Sequence, residues 1–225
     1  MSGFRNIKTN RVIARGILSD ILSKVLICCE MMKKDCLEGK NKIKNLEEDI
    51  RDYLFHNYLN NDEIMEQVGL SEFRFFSEVP ENYQNNKPIG RTDLKVINID
   101  MFQYRKKYFT IECKRIDGYK TLNRSYINEG IKRFVKSKPL YPSYFDMNSM
   151  FGFVVQEIDV NKNITKINDL QKEYYKDIKI KTPIMFSNIS SSHNYTFESE
   201  YFLDGTDILL FHIFYDFSSI IDGSK

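Results

Sequence analysis

Several residue types and motifs are scarce in this 225-residue sequence, and each absence argues against a class of protein. The chain has no tryptophan, and it has only four cysteines and three histidines. The cysteines lack CxxC spacing, which argues against a zinc site or a disulfide framework and predicts reduced thiols in the cytoplasm. No run of about 18 uncharged apolar residues is present, so no membrane span is expected. The start of the chain lacks the form of a secretory signal.

Motifs of several common enzyme classes are also missing. The sequence has no P-loop, no GxGxxG and no Ser/His/Asp arrangement. The histidines are scattered without metal-ligand spacing, and His212, inside the apolar pattern LLFHIFYDF, is better explained as a hydrogen-bonded strand residue. The 17 phenylalanines and 14 tyrosines are expected to pack in a core rather than to stack on bases.

Charge is unevenly distributed along the chain, although the net charge is only +2. From Lys44 to Glu81 there are ten acidic and three basic residues, whereas from Arg105 to Lys138 there are eleven basic and three acidic ones. A local excess of basic residues is typical of a surface that faces phosphates. A solvated helix face explains the same excess, and charge alone does not separate the two.

Hydrophobic periodicity predicts a helix, three strands, a helix and a strand, followed by further elements. Helices are predicted over residues 11–36, 42–59 and 125–136, with Gly39 after the first and Ser125 as the N-cap of the third. Strands are predicted over residues 73–79, 91–100, 108–118 and 150–155. A helix containing Ile164 and three late strands (TPIMFSNIS, YTFESEYF and DILLFHIFYDF) complete the pattern, and PENYQNNKPIG (80–90) is expected to be a loop.

This order predicts an α/β or α+β sandwich with a mixed central sheet flanked by helices. Residues 1–225 are expected to form one domain. Within it we assign residues 1–40 to an N-terminal helical extension, 42–155 to the core and 156–225 to a C-terminal extension of the sheet.

Two charged residues interrupt the otherwise apolar strand YFTIECKRIDG (108–118). Side chains alternate between faces along a strand, so Glu112 and Lys114 share one face while Ile111 and Cys113 point into the core. Cys113 is therefore expected to be a packing residue rather than a reactive thiol.

The preceding strand supplies a third charged group. If the hairpin turn lies between Phe102 and Gln103, residues whose numbers sum to 205 stand opposite each other, and Asp93 faces Glu112. Directly opposed side chains have Cβ atoms roughly 5 Å apart. Two buried carboxylates at that distance repel each other, and a divalent cation such as Mg²⁺ or Mn²⁺ relieves the repulsion. The alternative is a cross-strand ion cluster on an exposed face.

The set Asp93, Glu112 and Lys114, with the last two in IECK, closely resembles the PD-(D/E)xK nuclease superfamily. The resemblance implies a restriction-endonuclease-like core, with the order helix–strand–strand–strand–helix–strand that residues 42–155 show. It also implies that Asp93 and Glu112 bind the metal and that Lys114 acts on the attacking water. The stretches GRTDLKV and YINEGIKRF are similar to those of nucleases of bacterial defence and mobile elements. One departure is that no proline directly precedes Asp93.

Further residues are candidates for the same site. Many members of the superfamily add an acid from the first core helix, and helical spacing turns Glu47 inward, while Glu48 and Asp49 point away. Glu78 is a weaker candidate. Glu129 and Arg133 lie one helical turn apart and are explained by a simple ion pair. We also predict that three basic residues contact phosphates: Lys132, Arg133 and Lys136.

The sequence thus predicts a metal-dependent endonuclease that hydrolyses phosphodiester bonds, with DNA as the expected substrate, in a bacterial restriction or phage-defence setting. A homodimer or a partner protein of a defence system is a further expectation. Two alternatives stay open. One is a catalytically silent nucleic-acid-binding module, and the other is a protein-interaction subunit that uses the apolar face of helix 11–36 for docking.

Overall fold

Seven strands form one mixed sheet in the computed structural model, which describes residues 7–84, 87–99, 108–136, 146–187 and 196–223. The order of the strands across the sheet is β1-β2-β3-β4-β7-β6-β5. Strands β3, β4 and β7 run parallel, and the other neighbouring pairs are antiparallel. The strands are β1 (Phe73–Gln84), β2 (Lys87–Asn98), β3 (Phe109–Ile116), β4 (Met147–Val154), β5 (Lys179–Phe186), β6 (Thr196–Leu203) and β7 (Thr206–Asp216).

Helices cover both faces of this sheet. Two of the helical stretches contain a π-helical segment, Phe55–Leu59 after α2 and Tyr126–Ile131 between α4 and α5. The α-helices are α1 (Ile7–Glu38), α2 (Glu47–Leu54), α3 (Asp62–Gln67), α4 (Lys120–Ser125), α5 (Lys132–Val135) and α6 (Val160–Tyr174). The fold is therefore α+β with a seven-stranded mixed sheet flanked by helices, which agrees with the coarse class predicted from the sequence.

The alternation of side chains along the strands divides the core into two hydrophobic layers. One layer packs α1, α2 and α3 against one face of the sheet and includes Ile111 and Cys113 of β3. The other layer packs the helical stretch 120–135 and α6 against the opposite face. Both layers are needed because the central parallel strands are apolar on both sides.

The N-terminal helix belongs to this core. Its inward residues, which the helical spacing had grouped on one face, are at most 1% exposed: Ala14, Leu18, Ile21, Leu22, Val25 and Cys29. That face is covered within the chain itself and is not available as a docking surface, so this part of the protein-interaction alternative is wrong. In the part of the chain that the structure describes, no helix is long and apolar enough to cross a membrane.

Several predicted boundaries differ from the structure. Within the expected loop over residues 80–90, residues 80–84 instead end β1 and residues 87–90 begin β2, paired in one long antiparallel ladder from Phe73↔Asn98 to Gln84↔Lys87. Main-chain pairing of two neighbouring strands outweighs the polar composition of this stretch. The second helix begins at Glu47 rather than residue 42, because Ile43 forms a strand-like bridge with Ile221.

The helix after β3 also starts earlier than predicted. It begins at Lys120, with Tyr119 at its N-cap, and Ser125 lies inside it. The Ser125 hydroxyl donates to Glu129 Oε2 at 3.0 Å instead of capping a helix.

Two glycines provide a test of this packing, because their replacement by alanine is expected to change the stability of the protein in opposite directions. A Cβ at Gly152 in β4 would lie 2.3 Å from Cδ1 of the buried Phe214 ring, so we expect Gly152→Ala to cost about 1–3 kcal/mol. Gly16 lies inside α1, and a Cβ there would meet no other atom within 4 Å, so Gly16→Ala should gain about 0.5–1 kcal/mol. Urea unfolding of both variants measures the difference, and equal midpoints would contradict the packing of β4 against β7.

Candidate active site

The carboxylates of Asp93 and Glu112 lie where β2 and β3 separate. The observed pairs are Leu94↔Ile111, Lys95↔Thr110 and Val96↔Phe109, so the register predicted from the sequence is confirmed over these pairs. Just beyond the pair Leu94↔Ile111, the main-chain N–H of Cys113 donates to Asp93 Oδ2 at 2.7 Å. The predicted turn near Phe102 lies outside the described residues.

Glu112 is fully buried, with an exposed fraction of 0%. Its Oε1 lies 3.0 Å from Lys114 Nζ and accepts from Arg133 Nη1 at 2.7 Å, whereas its Oε2 is buried without a hydrogen-bond partner. Burial, and secondly the nearby charge of Asp93, raise the pKa of Glu112 from 4.5 to about 8, although Lys114 and Arg133 oppose this. An unsatisfied buried carboxylate oxygen is costly unless another group binds it.

The Lys114 ammonium group contacts all three predicted carboxylates. Its Nζ lies 2.7 Å from Glu47 Oε1, 3.0 Å from Glu112 Oε1 and 3.8 Å from Asp93 Oδ2. Burial alone would lower the pKa of Lys114, but the surrounding carboxylates outweigh it and hold the pKa above its usual value. In this arrangement Lys114 is a cation that donates hydrogen bonds and is not a base.

Glu47 reaches the site from the first residue of α2. One carboxylate oxygen accepts from Lys114, and the other accepts from the main-chain N–H of Arg115 at 3.3 Å. The side chain of Glu47 is 31% exposed. The inward direction that helical spacing had indicated for Glu47 therefore agrees with its position.

Arg51 is a residue of the site that was not predicted from the sequence. It lies one helical turn after Glu47 on α2, and its Nη1 donates to Asp93 Oδ1 at 3.2 Å and to Glu78 Oε1. The side chain is only 6% exposed. The i,i+4 spacing from Glu47 was the available signal, because residues four apart on a helix share a face.

Glu78 stands in β1 between the pairs Ser77↔Leu94 and Val79↔Thr92, which places it beside Asp93. Its φ of 54° is unusual for a residue other than glycine, and such conformations are concentrated at functional sites. Its carboxylate accepts from Arg51 and from Arg91. This weaker candidate is thus part of the charged cluster, through Arg51.

Arg133 comes to the site from the opposite layer of the fold. Its guanidinium group pairs with Glu112, and Glu129, the ion-pair partner predicted from the sequence, accepts from Ser125. Gly130 lies close to the sheet in this helical stretch, since a Cβ there would lie 2.3 Å from Cε at the flexible end of Met150 and 3.5 Å from Lys114 Cγ. The assignment of Arg133 to the nucleic-acid surface is therefore incomplete, since its guanidinium group also contacts a carboxylate of the site.

The other two predicted phosphate contacts lie on the same stretch. Lys132 is exposed, and Lys136 is intermediate in exposure and directly follows α5. Neither is part of the carboxylate cluster.

His212 is a buried structural residue. Its Nδ1 is 2.8 Å from the Tyr126 hydroxyl and its Nε2 is 2.7 Å from the Ser199 hydroxyl, in agreement with the prediction of a hydrogen-bonded strand residue. Burial lowers the pKa of His212 to about 3, so the ring is neutral at physiological pH.

The carboxylates of the site have the right chemistry for a divalent cation. Carboxylate oxygens suit Mg²⁺ and Mn²⁺, and the unsatisfied Oε2 of Glu112 is consistent with a missing ligand. Among the described residues, however, no three His, Cys, Asp or Glu side chains are grouped to hold a metal ion. The carboxylates of Asp93, Glu112 and Glu47 are held by Arg51, Lys114 and Arg133 instead. The donor types fit the ion, and cation binding requires some of these ion pairs to open.

Comparisons of the chain with protein-family models, with curated proteins and with solved structures found no match. The function proposed below therefore depends on the residues of the site itself. These are the carboxylates of Asp93, Glu112 and Glu47 and the cations of Arg51, Lys114 and Arg133, with Glu112 buried at their centre and Glu78 joined to them through Arg51.

Proposed function

We propose that this protein is a metal-dependent nuclease of the restriction-endonuclease-like fold that hydrolyses phosphodiester bonds. The observation that carries the proposal is the buried set Asp93, Glu112 and Lys114 on adjacent strands, at the point where the strands separate. An ordinary sheet does not bury two carboxylates and an ammonium group together, because desolvation of the charges is costly. Such pairs of neighbouring acids are characteristic of sites that bind cations.

The order of elements from α2 to β4 supports the same fold. Helix α2, followed by the short α3, precedes three strands, a helical stretch and a fourth strand, and β3 and β4 are parallel neighbours. This is the element order that the resemblance to the PD-(D/E)xK superfamily implies.

In the proposed reaction Asp93 and Glu112 would hold Mg²⁺ or Mn²⁺, with Glu47 as the third carboxylate. The bound ion would lower the pKa of a water molecule and offset the negative charge that develops on the phosphate. Lys114 donates hydrogen bonds toward the attacking water or the phosphate, and Arg51 keeps Asp93 oriented by binding its Oδ1.

The proposed substrate is nucleic acid, and DNA is the expected kind. The proposed phosphate contacts are Lys132, Arg133 and Lys136. Phosphate contacts hold the backbone without reading bases, so they provide position and affinity rather than sequence specificity. We place the activity in a bacterial restriction or phage-defence setting in the cytoplasm.

Cleavage of DNA is expected with Mg²⁺ or Mn²⁺ and not with EDTA, and single- and double-stranded forms of DNA and RNA are tested side by side. The assay uses labelled oligonucleotides and plasmid, with Asp93→Asn as the matched inactive variant. Salt-sensitive binding without cutting by the wild-type protein would instead support the silent nucleic-acid-binding module. Neither binding nor cutting of any of the four substrates would overturn the nuclease proposal.

A further inference from the structure

Among the three cations of the site, Arg133 differs in its access to solvent. Its side chain is 30% exposed, whereas those of Arg51 and Lys114 are 6% and 5% exposed. Arg51 contacts Asp52, Glu78 and Asp93, and Lys114 contacts three carboxylates within the cluster. Arg133 is thus the cation that lies between the buried Glu112 and the surface.

The helical stretch that carries Arg133 is built to hold it there. The π-helical segment Tyr126–Ile131 immediately precedes α5, and such segments are frequent at functional sites. Gly130 within it lies against Met150 and Lys114, which brings the backbone close to the strand that carries Glu112. Arg133 and the exposed Lys132 therefore stand at the boundary between the carboxylates and a basic surface.

Glu112 Oε1 is the shared acceptor of Arg133 and Lys114. A divalent cation that binds this carboxylate, through the partnerless Oε2 or through both oxygens, neutralises its charge and so weakens the ion pair between Oε1 and the guanidinium group. A released guanidinium is suited to a phosphate, because its planar fork of donors matches two phosphate oxygens.

We propose that Arg133 exchanges partners, pairing with Glu112 when the carboxylates hold no divalent cation and binding a backbone phosphate of the nucleic acid when they do. The inference rests on the proposed function. It makes Arg133 a link between ion binding and substrate binding, so that each event favours the other by the same factor.

The first test is calcium binding without nucleic acid, measured by calorimetry. Arg133→Gln removes the competing cation, and we expect calcium affinity to rise by about fivefold or more, the lower end of typical coupling. Arg124→Gln is the matched control. It makes the same change on the same helical stretch, but Arg124 is exposed and lies over the Tyr174 ring instead of a carboxylate. Its calcium affinity should equal that of the wild type.

The second test is the affinity for a DNA duplex, measured by fluorescence anisotropy with and without calcium. Calcium should raise the DNA affinity of the wild type and of Arg124→Gln. The factor of this increase should be about fivefold larger than the factor for Arg133→Gln. If the wild type binds calcium but all three proteins respond alike in both tests, the exchange is wrong and the nuclease proposal stands. If the wild type binds no calcium, the exchange is overturned along with the cation site.

Discussion

Replacing Glu112 with glutamine is expected to abolish cleavage and also to stabilise the cation-free protein at alkaline pH. Cleavage is lost because an amide is a weak ligand for Mg²⁺ and carries no charge. Stability rises because the folded state disfavours the charged form of Glu112, whose pKa is raised from 4.5 to about 8 by burial and by Asp93. Glutamine keeps the size of the side chain and never ionises.

The direction of this stability change follows from the number of protons that the folded and unfolded states bind. Between pH 4.5 and 8 the folded state keeps the Glu112 proton that the unfolded chain has released, so the wild type loses stability as the pH rises through this window. The slope is at most about 1.4 kcal/mol per pH unit. Glu112→Gln should match the wild type near pH 4.5 and exceed it by up to about 5 kcal/mol above pH 8, from a slope of about 1.4 kcal/mol per unit over this window.

Urea unfolding at pH 4.5 and 8.5 in EDTA measures this gain. Asp93→Asn provides the comparison, because it should also abolish cleavage but should not gain stability. The Asp93 carboxylate already accepts hydrogen bonds from Arg51 and from the Cys113 N–H. Replacing it with the amide of asparagine therefore removes the ion pair with Arg51. Wild-type-like turnover by either variant would contradict the assignment of the metal ligands, and a Glu112→Gln protein less stable at pH 8.5 would contradict the electrostatic account.

Lys114→Ala is expected to reduce turnover by roughly two or more orders of magnitude while leaving a divalent cation able to bind. The structure adds a stability effect. Without Lys114 the carboxylates of Glu47, Asp93 and Glu112 lose their shared cation, and the loss of one partner from a buried ion cluster costs about 3–5 kcal/mol. Added Mn²⁺ should restore part of this stability, since it supplies positive charge to the same carboxylates.

The measurements are Mn²⁺ calorimetry, cleavage at saturating substrate, and urea unfolding with and without Mn²⁺. Lys120→Ala is the control, because Lys120 is 55% exposed and lies 3.8 Å from an equally exposed Glu173. An exposed pair of this kind contributes at most about 1 kcal/mol. If Lys114→Ala behaves like Lys120→Ala in turnover and in stability, Lys114 has no part in the reaction.

The strand register was predictable, because it depends on the alternation of side chains and on one assumed turn. A one-residue slip would have moved Ile111 and Cys113 out of the core, so the apolar pattern of β3 restricted the choice. The position of Asp93 beside Glu112 follows from that register. Glu47 was found by helical spacing, which is also a local property.

The partners of Arg51 and Arg133 were not predictable in the same way. Each guanidinium group reaches a carboxylate distant in sequence, with Arg51 bound to Asp93 and Arg133 to Glu112. These contacts depend on how two helical layers pack on opposite faces of the sheet, and the π-helical segment before α5 changes the phase that an ideal helix would give. The long β1–β2 ladder was missed because main-chain pairing, unlike side-chain burial, leaves no apolar pattern.

The hydrogen bond from the Cys113 N–H to Asp93 Oδ2 gives the site a spectroscopic reporter of its own. The amide proton is held in a short bond to a charged oxygen, so its chemical shift responds to any change in the electron density of that carboxylate. Cys113 is buried and its backbone is fixed within β3, so the resonance senses Asp93 without exchange broadening from a mobile loop. An ¹⁵N-labelled sample titrated with diamagnetic Ca²⁺ or Mg²⁺ would thus reveal ion capture at one amide, without a substrate or a chemical label.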